Sequence, residues 1–295
     1  MKNPYLIFIL FTSLCSCNYF SNPNSDNSKI NCMVINGINW SFDSERLLFA
    51  CNPYGMPSVP STGYFSILNL SDMKSTKIAE INNSTLESPV FYKDGIISYY
   101  CANANANQDD CGIWQMYPEK RFLLEGLDVS INPINNKLLV VERNKNELRL
   151  VLYDIESEIS TELYDTTFAA MFGTAGMDWK NNIVVISIEI FQDDNNDTMD
   201  IYYINLLDYK INKISNGLKM NFQPSVSPDN KYISYCGGEP GRETLHIFNI
   251  EESKNIAFPE YNCVFSSWSP SGKKIAIAEM ATKAEILDVN KLLNK

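Results

Sequence analysis

The chain has 295 residues, 45% of them apolar and 20% charged, an ordinary globular composition that excludes wholesale disorder and fibrous repeats. Its 24 Lys and Arg face 35 Asp and Glu, a net charge of −11, which argues against a nucleic-acid partner and against adsorption to an anionic membrane, because both depend on Lys and Arg. Six of the eight cysteines lie beyond residue 30, a usage that suits an oxidising compartment.

Residues 1–16 begin with Lys2, continue as a mostly apolar run over residues 6–14 and end in small residues, which is the layout of a secretory signal. The run is shorter than the ~20 residues that cross a bilayer as a mature helix. Residues 14–17 (LCSC) resemble the lipobox of bacterial lipoproteins, with Leu14 three positions before Cys17 and the small Ser16 just before it. The resemblance implies cleavage before Cys17 and acylation of that residue. Cys15 stands where the motif usually has Ala, Ser or Thr, although it too is small. Loss of Lys2 with the signal takes the net charge from −11 to −12. Asn18 is not the Asp that retains many such proteins at the inner membrane, which points to the outer membrane of a Gram-negative host. Residues 17–28 are rich in Asn and Ser and read as a flexible tether.

Residues 29–35 (KINCMVI) read as a strand, and beyond them the sequence repeats itself. Residues 40–49 (WSFDSERLLF), 226–235 (VSPDNKYISY) and 268–277 (WSPSGKKIAI) align without gaps, and residues 131–140 (INPINNKLLV) keep the proline and the polar turn. Residues 90–98 and 177–185 are shorter at the turn. The six starts are 41 to 50 residues apart, the period of a four-stranded propeller blade. Ser or Asn opens each full turn, and Asp, Asn or Gly in it tolerates the left-handed conformation. An apolar strand follows, suited to burial on both faces. Most copies continue into a third strand ending in Asn or Asp, at residues 65–69, 150–154, 201–205, 246–249 and 285–288, and then a short edge strand such as 76–79 or 211–214. No stretch carries a sustained helical period. The expected fold is all-β, a six-bladed β-propeller of four-stranded antiparallel blades over residues 29–295. Little chain follows residue 288, so residues 29–35 are expected to complete the sixth blade and remove its open edge.

The turn and apolar strand at residues 226–235, together with residues 201–205 (IYYIN), resemble the repeat of TolB-like six-bladed propellers. The resemblance spans about residues 30–295 and is strongest at 222–250 and 263–289. It implies an architecture and no particular activity, because propellers host unrelated chemistries. TolB itself carries an N-terminal α/β domain where this chain has a short tether, so a Tol–Pal role does not carry over.

His246 is the single histidine and sits between apolar residues of a predicted strand, as a structural side chain does. A multi-histidine metal site and a Gly-x-Ser-x-Gly elbow are both absent from the sequence, and no catalytic residue is expected. Residues 193–200 (DDNNDTMD) place Asp193, Asn195 and Asp197 at the alternating spacing of calcium ligands, with Asp200 close behind. Thr198 and Ile204 stand where an EF-hand needs Gly and a bidentate carboxylate, so the plainer expectation is a solvated loop and no required cofactor. Cys101 and Cys111 flank a polar loop that a disulfide would stabilise by roughly 2–3 kcal/mol. In a propeller Cys236 and Cys263 fall on one face, and Cys32 with Cys51 remains by elimination. Trp40, Phe49, Trp179 and Trp268 lie in the apolar strand register and read as core.

Tyr54, within a Pro-rich loop at residues 52–60, joins Asp109, Asp110, Asp193 and Asp197 on three long loops around one mouth of the expected channel. The expectation is therefore a monomeric, lipid-anchored envelope scaffold that binds a protein or peptide there. It would meet the membrane through its anchor alone and would not bind nucleic acid. The alternative is a glycan-binding or glycan-cleaving accessory protein.

Overall fold

A computed structural model describes residues 34–52, 62–82, 84–102, 111–132, 135, 137–144, 147–164, 171–190, 198–214, 218–279 and 283–294. Its strands form six antiparallel sheets. Blade one holds β1 (Val34–Trp40), β2 (Arg46–Asn52), β3 (Thr62–Asn69) and β4 (Lys74–Asn82), and blade two holds β5 (Ser84–Tyr92), β6 (Gly95–Ala102), β7 (Cys111–Tyr117) and β8 (Arg121–Leu124). Blade three holds β9 (Asp128–Ile131), β10 (Leu138–Asn144), β11 (Glu147–Asp154) and β12 (Ile159–Tyr164). Blade four holds β13 (Met171–Lys180), β14 (Ile183–Ile190), β15 (Thr198–Asn205) and β16 (Lys210–Lys213). Blade five holds β17 (Met220–Val226), β18 (Tyr232–Gly238), β19 (Thr244–Asn249) and β20 (Lys254–Asn262). Blade six has three described strands, β21 (Phe265–Trp268), β22 (Lys274–Ala278) and β23 (Ala284–Asp288), followed by the short helix α1 (Val289–Leu293). The first strand of each blade touches the first strand of the next, and β1 meets β21, so the six blades close into a ring. Among the described residues no helix is long and apolar enough to cross a membrane.

The repeat signature has a local cause. In blades one, five and six the hydroxyls of Ser41, Ser227 and Ser269 accept hydrogen bonds from the backbone N–H that starts the second strand, at 2.9, 2.9 and 3.1 Å. Ser44, Asn230 and Gly272 then take left-handed φ of 63°, 59° and 69° to reverse the chain. In five of the six blades the third strand ends in an Asn or Asp that caps the next turn. Asn69, Asp154, Asn205, Asn249 and Asp288 each accept from a backbone N–H two or three residues ahead. Four of these turns place their fifth residue at positive φ: Met73, Glu158, Tyr209 and Ser253. One side-chain acceptor thus fixes each turn without any tertiary contact.

Packing divides each second strand between two neighbours. Leu48 and Ala50 of β2 pack with Phe65, Leu86 and Tyr100 toward blade two, whereas Leu47, Phe49 and Cys51 pack with Ile35, Phe265 and Ala276 toward blade six. In β10, Leu138 and Val140 face blade two, and Leu139 and Val141 face blade four. One apolar cluster fills each of the six seams between blades. Trp40, Phe49, Trp179 and Trp268 are all buried within them, as their register predicts. The expected closing strand differs in its described part. Val34 and Ile35 pair with Asn52 and Cys51, so they belong to the inner strand of blade one, where Ile35 is buried against blade six. Residues 29–33 lie outside the described residues.

Deleting side-chain volume inside a seam leaves a cavity bounded by two blades. Leu48→Ala is expected to cost about 2–5 kcal/mol in denaturant unfolding, while Leu207→Ala, at an exposed turn, stays within ~0.5 kcal/mol. Equal effects of the two substitutions would contradict the seam assignment.

Candidate functional site

Antiparallel connectivity puts every link between second and third strands at one end of the ring. The longest links, residues 53–61, 103–110 and 191–197, all stand at this end. Tyr54, Asp109, Asp110, Asp193, Asn195 and Asp197 lie on them outside the described residues, as does Cys17 in the N-terminal segment. Thr198, Met199 and Asp200 are described, at the start of β15. Asp200 is 6% exposed and its Oδ2 accepts from Lys213 Nζ at 2.5 Å.

The loop roots are stapled. Cys101 and Cys111 occupy directly opposed positions of β6 and β7 and are disulfide-bonded, with Cα atoms 4.1 Å apart. A second disulfide joins Cys236 at the end of β18 to Cys263 just before β21, tying blade five to blade six. Cys51, near the end of β2, is also disulfide-bonded, and its expected partner Cys32 lies outside the described residues. Cys51, Cys101, Cys111, Cys236 and Cys263 stand at the loop-bearing end, and their bonding fits an oxidising compartment.

Below this rim the inner strands line the channel, and four of them are bulged at matching levels. One extra residue is inserted between Ile35 and Ile38 in β1, Glu87 and Val90 in β5, Thr174 and Met177 in β13, and Phe222 and Ser225 in β17. Ser88 and Gln223 take φ of 48° and 50° there. The bulges of neighbouring blades abut. A Cβ on Gly37 would lie 2.4 Å from Pro89 Cδ, and one on Gly176, at φ 112°, would lie 2.8 Å from Gln223 Cα. Glycine is required at both positions.

Two sets of polar groups follow from this geometry. Glu87 alternates with Leu86, which is buried toward blade one, so its carboxyl is directed toward blade three, and burial together with the nearby Asp128 charge pushes its pKa up to about 7. Farther along, Asp178 of β13 joins three consecutive blades. Its Oδ2 accepts from Ser225 Oγ and Val226 N, each at 2.9 Å, and its Oδ1 accepts from Lys180 Nζ at 2.9 Å and Ser130 Oγ at 3.2 Å. Ser225 Oγ in turn accepts from Trp268 N of blade six at 3.0 Å. Burial alone would raise the Asp178 pKa, yet the Lys180 ammonium and these hydrogen bonds outweigh it and hold the carboxyl below its ordinary value. In blades three, four and five the residue preceding the buried Ile, Trp or Val is the readable signal for this belt: Ser130, Asp178 and Ser225.

His246 is 4% exposed, stacks on Tyr235 at 5.0 Å and has its Nδ1 3.0 Å from the Asn255 amide. Burial lowers its pKa, so the ring is held neutral inside blade five. Among the described residues no three His, Cys, Asp or Glu side chains converge as a metal site.

Two consequences are measurable. Asp178→Ala strands Lys180 and two serine hydroxyls, and is expected to cost about 3–5 kcal/mol in chemical denaturation; a loss under ~1 kcal/mol would contradict the belt. Glu87 binds its proton more tightly in the folded chain than in the unfolded one, so its contribution is full below pH 4.5 and is lost as pH rises toward 7. Glu87→Gln is expected to flatten the stability decline over that interval and to raise the melting temperature above it. An unchanged pH profile would show that Glu87 is not the group responsible.

No protein-family model matches the chain, and no curated protein is similar to it in sequence. Its backbone is similar to solved structures of other chains. TolB from Acinetobacter baumannii superposes with a TM-score of 0.62 at 12% identity, over 85% of this chain and 62% of that one. This chain thus spans less than two thirds of that TolB's length. A putative TolB from Agrobacterium tumefaciens gives 0.55 at 13% identity, over 87% of this chain and 91% of that one. An oligogalacturonate lyase in complex with manganese gives 0.53 at 12% identity, over 88% and 75%. At these identities the likenesses are of fold alone, and the six blades of this chain are those expected from its repeats.

Proposed function

We propose that the protein is a non-catalytic lipoprotein of the cell envelope, anchored through Cys17 at the outer membrane of a Gram-negative bacterium, whose propeller binds a protein or peptide partner at the loop-bearing mouth. The observation that carries this reading is the gathering, at one end of a closed ring, of the longest interstrand links, of the Cys101–Cys111 disulfide at the root of one of them and of the Cys236–Cys263 disulfide between blades five and six. Variable loops on pinned supports are how a rigid scaffold presents a recognition surface. Tyr54 supplies an aromatic anchor, and Asp109, Asp110, Asp193 and Asp197 favour a partner with basic side chains. Val34 pairs with Asn52 at the same end, so the tether leaves from the binding rim. The protein acts as a monomer, touches the membrane through its acyl chains, binds no nucleic acid and needs no cofactor. The engagement of Asp200 by Lys213 supports a solvated loop at residues 193–200 over a calcium site built on Asp193, Asn195, Asp197 and Asp200.

A second reading is a glycan-binding or glycan-cleaving accessory protein. Glu87, with its pKa near 7 beside Asp128, is the observation that favours it, because acid–base cleavage of a glycosidic bond uses one protonated and one ionised carboxyl.

Capture of partners from detergent-solubilised envelope extract tests the proposal. Wild-type protein should retain a defined protein partner, and a Tyr54→Ala, Asp109→Asn, Asp193→Asn variant of unchanged melting temperature should retain about tenfold less. Undiminished capture would contradict the rim. Release of oligosaccharide from envelope glycans, lost in Glu87→Gln, would instead establish the second reading.

A further inference from the structure

Four cations among the described residues lie over aromatic rings, and three of them also have a carboxylate partner. Arg46, over Phe91, pairs with Asp43; Lys77, over Tyr64, pairs with Glu80; Lys93, over Tyr92, pairs with Glu156. Lys120 differs. Its Nζ lies 3.7 Å from the centroid of Tyr100 and 4.8 Å from that of Trp114, and no ion pair to a described residue accompanies these contacts. Among the described residues only the rings hold the ammonium.

Those rings are arranged as walls. Tyr100, Trp114 and Phe122 come from β6, β7 and β8, the three outer strands of blade two, with Trp114 directly opposite Phe122 in the ladder. The Tyr100 and Trp114 rings are 5.4 Å apart at 70°, and the Trp114 and Phe122 rings 5.2 Å apart at 71°. Tyr100 is buried against blade one and fixes the floor, while Phe122 is 44% exposed and leaves one side open. Near-perpendicular aromatic faces around a single nitrogen suit an organic cation, whose charge is attracted to the ring quadrupoles without needing a counter-ion. The Trp114 Nε1–H is also buried with no acceptor among the described residues, so a ligand oxygen that reaches it once Lys120 has left would find a donor.

We propose that Tyr100, Trp114 and Phe122 form a binding pocket for a small organic ammonium ion carrying a nearby oxygen, and that Lys120 is its resident occupant, displaced by the ligand. The pocket lies on the outer strands of blade two next to the Cys101–Cys111 root and uses none of Tyr54, Asp109, Asp110, Asp193 and Asp197, so it stands whether or not the rim binds a protein. Lys120 is exposed and reaches the rings from the turn before β8, so it can leave without disturbing the ladder.

Choline is the test ligand and 3,3-dimethylbutan-1-ol its neutral isostere. Trp40, Trp179 and Trp268 are buried in other seams, so tryptophan fluorescence quenched by choline reports Trp114. Choline is expected to quench saturably and the isostere not at all. Lys120→Ala, which removes the competing cation, should tighten choline binding about tenfold, and Phe122→Leu in that background should weaken it about tenfold with the melting temperature unchanged. Equal quenching by the isostere, or no tightening in Lys120→Ala, would overturn the proposal. So would sedimentation with phosphatidylcholine vesicles in the absence of any response to free choline, since the ligand would then be a membrane surface.

Discussion

The second strand of every blade is buried on both faces, and this constraint organises the molecule. A strand such as Leu47–Cys51 cannot satisfy its two apolar faces inside one four-stranded sheet, so each blade requires a neighbour on either side. Six blades meet that requirement only by closing, which they do where β1 packs on β21 and Trp40 Nε1 donates to Ser267 O at 2.9 Å. Fully burying one Leu or Phe is worth about 1.5–3 kcal/mol, so seam packing far outweighs any single surface ion pair at ~0–1 kcal/mol. The exposed pairs Lys93–Glu156 and Arg121–Glu158, both linking blade two to blade three, are minor additions to that seam.

Closure has a chemical consequence at the axis. Six inner strands converge on a narrow channel, and polar groups placed there lose water. Asp178 is held below its ordinary pKa because Lys180, Ser130, Ser225 and the Val226 N–H surround it, whereas burial and the nearby Asp128 charge push the pKa of Glu87 up to about 7. Two acidic residues on inner strands of one ring thus acquire opposite properties from their neighbours alone. The bulges permit this crowding: they shift Glu87 and Ser88 out of the regular ladder, and Gly37 and Gly176 let the next blade approach. At the loop-bearing end the Cys101–Cys111 disulfide holds the two ends of one long link together, and the Cys236–Cys263 disulfide ties blade five to blade six.

Much of this architecture is legible in the sequence because its causes are local. Ser227 and Asn249 set their turns through side-chain acceptors within a few residues, and the run at 47–50 declares two-sided burial without reference to any partner. The Cys101–Cys111 and Cys236–Cys263 pairs follow once the strand order is known. The belt around Asp178 and the raised pKa of Glu87 are different in kind. Each needs residues from blades that lie about 45 positions apart in sequence, and their relative level is set by bulges that no spacing announces. Ile35 illustrates the same limit, since its apolar character predicts a strand but not that the strand belongs to blade one. Lys120 does too: nothing in its sequence neighbourhood distinguishes it from the other surface lysines until β6 and β7 bring the Tyr100 and Trp114 rings beneath it.

The central claim is that a closed ring holds one loop-bearing end as the recognition surface. Hydrogen exchange on the full chain, with and without a partner captured from envelope extract, tests it most directly. The account predicts new protection at residues 53–61, 103–110 and 191–197 and at the adjoining ends of β2, β6 and β14, with none at the turns around Ser44, Asn230 and Gly272. Protection confined to those turns, at the opposite end of the ring, would contradict it.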